Sequence, residues 1–238
     1  MELPVTLTSL TIGAARFRVG TWQGVADAAY LAPVTEATTL GPAVLAAARD
    51  RLAQQGFRSV TTAAVDPAVR DRLVADGFGV SAELTALSRD LHSLGGLPDP
   101  RRRTRRVRRR DLGLVLRIDA GAFAPTWRLD ADGLHEARTA TSRSRWRVNR
   151  GTPVAAYSIV GRSGPQGYLQ RLAVAADCQG RGLGTVLVAD ALAWLRRGGA
   201  RTVLVNTACD NEPALGLYER CGFAIEPDPL AVLRRDLP

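Results

Sequence analysis

Lysine is absent from the sequence, methionine occurs once and histidine only twice, and each scarcity removes a class of site. Without lysine there is no Gly-Lys-Ser/Thr triplet and hence no Walker-type phosphate loop. The three cysteines, Cys178, Cys209 and Cys221, form no Cys-x-x-Cys pair. With only two histidines beside them, they predict neither a bound metal nor a disulfide framework.

Long apolar runs are missing as well. None approaches the roughly 18–20 residues that a membrane-spanning helix needs. The first residues also lack the basic region and apolar stretch of a secretory signal. We therefore predict a soluble cytoplasmic protein that does not enter a membrane. Its 238 residues, 46% of them hydrophobic, are enough for one large folded domain or two small ones.

Positive charge is concentrated in one short stretch. The formal net charge is +9, and eight arginines lie within Arg101–Arg110, so the rest of the chain carries only +1. Such a run can bind nucleic acid through phosphate contacts. No aromatic residue interrupts it, however, and a solvated linker and strand edge is the favoured interpretation. We expect no nucleic-acid partner, and some of these arginines should pair with Asp111.

The chain repeats itself at a shift of 143 residues. Seven identities fall within twenty ungapped positions, where 41, 46, 48, 52, 56, 58 and 60 match 184, 189, 191, 195, 199, 201 and 203. With small shifts, Gly77-Phe78 also matches Gly222-Phe223. Internal repetition predicts repeated structural units. We predict a partial, degenerate domain at 1–92, a linker at 93–104 and a complete domain at 105–238.

Each copy has the pattern strand, helix, strand, helix, strand, which predicts a mixed α/β sheet flanked by helices. Glycine, asparagine and proline mark the ends of these elements. In the second copy the predicted strands are 145–148, 154–160, 167–175 and 201–207. The predicted helices are 112–123, 130–141, 182–197 and 211–221.

A glycine-rich turn, Gln179-Gly180-Arg181-Gly182-Leu183-Gly184, lies between a predicted strand and a predicted helix. Its glycines let main-chain N–H groups converge at a helix N-terminus, where negative charge is favoured. Thr185 stands where a dinucleotide-binding fingerprint would have its third glycine. The pattern therefore favours another pyrophosphate ligand, although a glycine-rich turn with no ligand is the alternative.

The residues around this turn resemble the GNAT superfamily of N-acetyltransferases. Gln179, Gly182 and Gly184 match the Gln/Arg-x-x-Gly-x-Gly/Ala motif of that superfamily. Downstream, the pattern from Asn211 to Phe223 (Asn-x-x-Ala-x-x-Leu-Tyr-x-x-x-Gly-Phe) is similar to its second motif. The resemblance covers about 105–238, and the second copy is most similar to the ribosomal-protein-alanine acetyltransferases. It implies the mixed-sheet acyl-CoA N-acyltransferase fold, acetyl-CoA as cosubstrate and transfer of an acetyl group to a primary amine.

The resemblance also implies roles for single residues. Leu172, Ala173 and Val174 would offer main-chain groups to the pantetheine arm and the thioester. The turn would hold the pyrophosphate, Asn211 would bond the pantetheine, and Tyr218 would act as general acid on the leaving thiolate. The implied cofactor-binding residues are Leu172, Ala173, Val174, Gln179, Gly180, Arg181, Gly182, Leu183, Gly184, Thr185 and Asn211.

The sequence does not identify the general base or the amine acceptor. Asn206 stands where ribosomal-protein-alanine acetyltransferases have a glutamate, and an amide cannot accept the proton of an amine. Glu136, Asp119, His135 or a water chain could replace it, although each of these side chains is otherwise expected to be a solvated helix residue. The acceptor could be a small molecule or a peptide N-terminus.

The first copy lacks the motif, and this predicts that it binds no acetyl-CoA. Gln179–Gly182 is matched there by Glu36-Ala37-Thr38-Thr39, and Tyr218 by Leu73 in the register that pairs the Gly-Phe dipeptides. Two functional alternatives remain for the whole chain. One is an acetyl-CoA sensor without catalysis, and the other is nucleic-acid binding through Arg101–Arg110.

Overall fold

A computed structural model describes residues 8–22, 25–100 and 103–238, and in this part of the chain twelve strands and six α-helices form. The strands are β1 (Thr8–Ile12), β2 (Ala15–Trp22), β3 (Val25–Pro33), β4 (Ser59–Thr62), β5 (Gly79–Asp90), β6 (Thr104–Arg106), β7 (Arg143–Asn149), β8 (Ala156–Ser163), β9 (Gln166–Val174), β10 (Thr202–Ala208), β11 (Ala224–Ile225) and β12 (Leu230–Asp236). The helices are α1 (Pro42–Gln54), α2 (Pro67–Ala75), α3 (Leu112–Ala122), α4 (Ala131–Thr139), α5 (Leu183–Arg197) and α6 (Glu212–Arg220). No helix within these ranges is long and apolar enough to cross a membrane.

The chain divides into two compact units. Unit 1 contains the described residues up to Ala86, with Ala208–Asp210 and Glu226–Pro238, and unit 2 contains Leu87–Thr207 and Asn211–Ile225. The bounds of these units differ from the predicted bounds 1–92, 93–104 and 105–238, mainly in the assignment of the final strand of the chain. The last residues of the second copy belong to unit 1, because β12 pairs with β4 and β5.

In unit 1 the strand order is β1-β2-β3-β4-β12-β5, with β3 and β4 parallel and the other neighbours antiparallel. Its core holds Phe17, Leu31, Leu52, Leu73 and Leu233, each fully buried. Leu73 is thus a core residue, and Tyr218 at the matching position of the second copy is buried as well.

In unit 2 the end of β5 is followed in order by β10, β9, β8, β7 and β6. β9 and β10 are parallel, and the pairs from β9 to β6 are antiparallel. Successive strand residues face opposite sides of a sheet. Val160 packs in the core that α5 covers, and Ile159 packs in the core that α3 and α4 cover, so helices flank both faces. The predicted mixed α/β sheet flanked by helices is confirmed.

Candidate functional site

The sheet of unit 2 opens between β9 and β10. Their parallel ladder joins Gln166–Tyr168 to Thr202–Leu204, yet β9 continues to Val174 and β10 to Ala208. On its other side, the segment 172–174 still pairs with β8. The edge of 172–174 that faces β10 therefore lies outside the ladder, and its main-chain groups, except the carbonyl of Val174 that accepts from Gln179, are available to an extended ligand.

The glycine-rich turn connects the end of β9 to the start of α5. Gly180 and Gly182 have φ angles of +73° and +76°, which side chains other than glycine rarely adopt. Apart from the glycine itself and its chain neighbours, no heavy atom lies within 4 Å of the position that a Cβ would take at either residue. Gly182 is the N-cap of α5, and no side chain caps the N–H groups of the first turn. The turn thus presents open space in front of uncapped donors at the positive end of a 15-residue helix.

Gly184 allows two helices to pack closely, whereas Gly180 and Gly182 leave space for a ligand. A Cβ at this buried residue would lie 2.9 Å from Cδ2 of Leu217, a residue of α6. The absence of a side chain therefore lets α5 and α6 pack closely. Its main-chain N–H still belongs to the first turn of α5, where Leu183 and Thr185 flank it.

The two polar side chains of the turn contact main chain. The Nε2 of Gln179 donates to the carbonyl of Val174 at 3.3 Å, and the Nη2 of Arg181 donates to the carbonyl of Asp177 at 3.0 Å. Both residues are exposed. These contacts brace the turn against the end of β9 and leave its glycine main chain uncovered.

Asn211 is the N-cap of α6. Its Oδ1 accepts from the N–H of Ala214 at 3.3 Å, and its Nδ2 donates to Oγ1 of Thr207 at 3.0 Å. Capping by an asparagine side chain followed by proline in the first turn was expected from the sequence. The side chain therefore has a structural role beside the ligand contact implied by the resemblance.

Tyr218 lies in the core of unit 2 and is 5% exposed. Its ring contacts Phe223, with the ring centroids 5.6 Å apart. Burial, and secondarily the thiol of Cys221, raise the pKa of the Tyr218 hydroxyl well above its usual value of 10. The hydroxyl consequently stays protonated at neutral pH, as a proton donor must.

Of the candidate bases, Asp119 is neither solvated nor free. It is completely buried, and its carboxylate forms an ion pair with Arg171 of β9. The expectation of a solvated helix residue was wrong for Asp119, because α3 turns this position towards the sheet. His135 is exposed, whereas Glu136 is partly buried, and desolvation and the nearby Asp130 raise the pKa of Glu136.

A second buried carboxylate was not predicted from the sequence. Asp190 of α5 is 4% exposed and accepts hydrogen bonds from Arg145 at 2.6 and 3.0 Å and from Thr104 at 2.8 Å. The signal was present, since Asp190 interrupts the apolar face of a helix, and a buried charge requires a partner. The partner itself lies on a distant strand and could not be identified from spacing.

The arginine run begins outside the described residues at Arg101 and Arg102, and continues through β6. As expected, one of its arginines pairs with Asp111. Arg105 makes a bidentate contact with this carboxylate at 2.6 and 3.0 Å, and Asp111 also accepts from the N–H of Arg108. The hydrogen bond from Arg105 lowers the pKa of Asp111 to about 2.

Replacing Asp111 with asparagine should reduce stability at neutral pH but progressively less in acid. A carboxyl whose pKa is lower in the folded than in the unfolded state stabilises the fold above the unfolded value of about 3.9, and this contribution is lost as the pH falls towards the folded value. Urea unfolding of wild type and Asp111→Asn, compared from pH 6 to pH 2.5, should give converging curves. Asp228→Asn, at an exposed site, is the control. A difference that is independent of pH would contradict this account.

Comparison with known proteins shows which family this region is similar to. Residues 117–223 match the model of the acetyltransferase (GNAT) family. Among curated proteins, the chain is 36% identical over 58 residues to N-alpha-acetyltransferase 30 of Schizosaccharomyces pombe, which is 24% of this chain and 39% of that one. It is 33% identical over 127 residues to mycothiol acetyltransferase of Rhodococcus jostii, which is 46% of this chain and 41% of that one. The matched part thus spans about two fifths of the length of each relative.

Solved structures show the same fold over almost the whole chain. A tandem GNAT protein from the clavulanic acid biosynthesis pathway superposes with a TM-score of 0.67 at 17% identity, covering 95% of this chain and 81% of that one. A GCN5-related N-acetyltransferase from Kribbella flavida gives 0.65 at 13% identity, covering 98% and 90%. At such identities the likeness shows the fold alone, and the expected GNAT fold is confirmed.

Proposed function

Because residues 117–223 match the model of the acetyltransferase (GNAT) family, we propose that the chain transfers an acetyl group from acetyl-CoA to a primary amine. The observation that carries this proposal is the open strand edge at 172–174, which leads directly into the uncapped glycine turn of α5. An extended thioester arm fits the strand edge, and a pyrophosphate fits the helix N-terminus.

The main chain does most of the binding in this proposal. Leu172, Ala173 and Val174 hold the pantetheine arm through N–H and C=O groups, and an N–H near Val174 stabilises the oxyanion that forms on the thioester carbonyl. The pyrophosphate accepts hydrogen bonds from the N–H groups of 179–184, and Thr185 supplements them. Asn211 caps α6 and adds a contact to the pantetheine arm.

Tyr218 supplies the proton in the last step. The neutral amine attacks the thioester carbon, the C–S bond breaks, and the hydroxyl of Tyr218 protonates the departing thiolate. Burial keeps the hydroxyl protonated at neutral pH, as a donor requires, and the assignment of this role comes from the match to the second motif of the superfamily. The proton released by the amine passes to water or to a base that we do not assign.

One acetyl-CoA site per chain is proposed, since unit 1 has no equivalent turn. At the matching position a short 3₁₀ helix, Ala37–Thr39, precedes α1, and the hydroxyl of Thr39 bonds back to the carbonyl of Glu36 at 2.7 Å. α1 itself starts with Pro42, which has no N–H to offer to an anion.

Release of free coenzyme A tests the proposed activity. Purified chain is mixed with acetyl-CoA and a panel of amines, namely peptides with free N-termini, a polyamine, an amino sugar and free lysine, and thiol formation is followed with a chromogenic disulfide. We expect at least one amine to be turned over faster than the hydrolytic background. Tight acetyl-CoA binding without turnover of any amine would instead favour a sensor.

A further inference from the structure

A buried ion pair joins α3 to β9 beside the open strand edge. Asp119 is completely buried, and the Arg171 side chain is 12% exposed. The Nε of Arg171 lies 2.8 Å from Oδ2 of Asp119, and its Nη2 lies 2.9 Å from Oδ1. The hydroxyl of Tyr157, fully buried on β8, donates to the same carboxylate. Bidentate contacts of this kind fix orientation as well as distance.

The same two residues hold the segment 123–129 that links α3 to α4. The N–H of Leu129 donates to Oδ1 of Asp119 at 2.7 Å, and Nη2 of Arg171 donates to the carbonyl of Trp127 at 2.6 Å. The guanidinium of Arg171 also lies over the ring of Phe123, 3.4 Å from its centroid. Both ends of the segment are therefore tied to one ion pair.

We propose that Asp119 and Arg171 are positioning residues for the amine acceptor. Arg171 immediately precedes the segment 172–174, so the ion pair fixes the segment 123–129 against the strand that carries the thioester in the proposed function, on which this inference rests. On this account, the segment 123–129 lines one side of the acceptor-binding site next to the thioester carbon. Small displacements of this segment should strongly lower the rate of acetyl transfer, because the amine nitrogen must be closely aligned with the thioester carbon.

The chain provides a matched control for the loss of a buried ion pair. Asp190 and Arg145 form a similar bidentate contact on the face that α5 covers, which is opposite to the face covered by α3 and α4. Removing either arginine deprives one buried carboxylate of its bidentate partner, although Asp190 keeps a contact of 3.5 Å with the Nε of Arg147. Effects that are merely structural should appear in both variants.

Amide hydrogen exchange and steady-state kinetics test the proposal together. In Arg171→Gln we expect the amides of 123–129 to exchange about tenfold faster or more, whereas Arg145→Gln leaves them unchanged. With the amine of the panel that wild type acetylates fastest, kcat/KM for the amine should fall about 10- to 100-fold in Arg171→Gln. The Kd for acetyl-CoA should stay within about twofold.

The double variant Asp119→Asn/Arg171→Gln guards against a folding failure, because it leaves no unpaired buried charge. It should fold and show the same faster exchange and the same selective loss. Equal effects in the Arg145→Gln control would overturn the proposal, as would unchanged exchange of 123–129 or equal losses for amine and acetyl-CoA. If the wild-type protein binds no acetyl-CoA or acetylates no amine, the proposed function itself is wrong, and this outcome is distinct from those of the variants.

Discussion

Replacing Tyr218 with phenylalanine is expected to lower kcat by about 10²- to 10⁴-fold, the usual contribution of a positioned general acid. The ring of Tyr218 packs in the core against Phe223, and phenylalanine preserves that packing. Only the proton donor is lost, so the Kd for acetyl-CoA should change by less than about twofold. Rapid-mixing or steady-state release of coenzyme A measures the first quantity, and calorimetry measures the second.

Tyr30→Phe, a tyrosine replacement in unit 1, is the control and should leave kcat unchanged. The pH dependence gives a further check. Since burial raises the pKa of Tyr218, the wild-type rate should show no fall below about pH 10 that can be assigned to loss of its proton. Full activity of Tyr218→Phe would remove this residue from the mechanism.

Replacing Gly182 with tryptophan is expected to abolish acetyl-CoA binding, with at least about a 100-fold rise in Kd. The residue has φ +76°, and the space beside it is open. An indole there fills the position proposed for the pyrophosphate and forces the turn out of its left-handed conformation. Because only the adjoining residues of the chain lie within 4 Å of the Cβ position, the fold itself should be retained.

Gly164→Trp is a matched control. Gly164 also has a positive φ, +56°, and open space around it, but it lies in the turn between β8 and β9 at the other end of the sheet. Both variants therefore carry comparable backbone strain. Equal losses of acetyl-CoA affinity in the two variants would mean that strain, rather than the phosphate turn, determines the effect.

Local signals in the sequence predicted most of unit 2. Helix α6 begins at the predicted asparagine cap, and α5 begins at Leu183, one residue after the predicted start. Strands β9 and β10 lie within one residue of their predicted bounds. These features depend on neighbours a few positions apart, through turn conformation, capping and apolar periodicity. The sequence alone was therefore sufficient to locate the glycine turn between a strand and a helix.

Features that depend on distant partners could not be predicted. At Gly184, the space that a side chain would need is occupied by Leu217 of another helix. Asp119 can be buried because it pairs with Arg171, which lies 52 positions further along the chain. The pairing of β12 with strands of unit 1 is likewise non-local, so the repeat alone could not assign 226–238. Spacing in the sequence does not show which charges pair when they lie far apart along the chain.

Calorimetric titration of the wild-type chain with acetyl-CoA tests the central claim most directly. The account predicts one molecule bound per chain with a micromolar Kd, since unit 2 has the glycine turn and unit 1 does not. Repeating the titration at two salt concentrations separates this site from the arginine run, whose anion binding would weaken steeply with salt. Two molecules bound per chain, or none, would contradict the account.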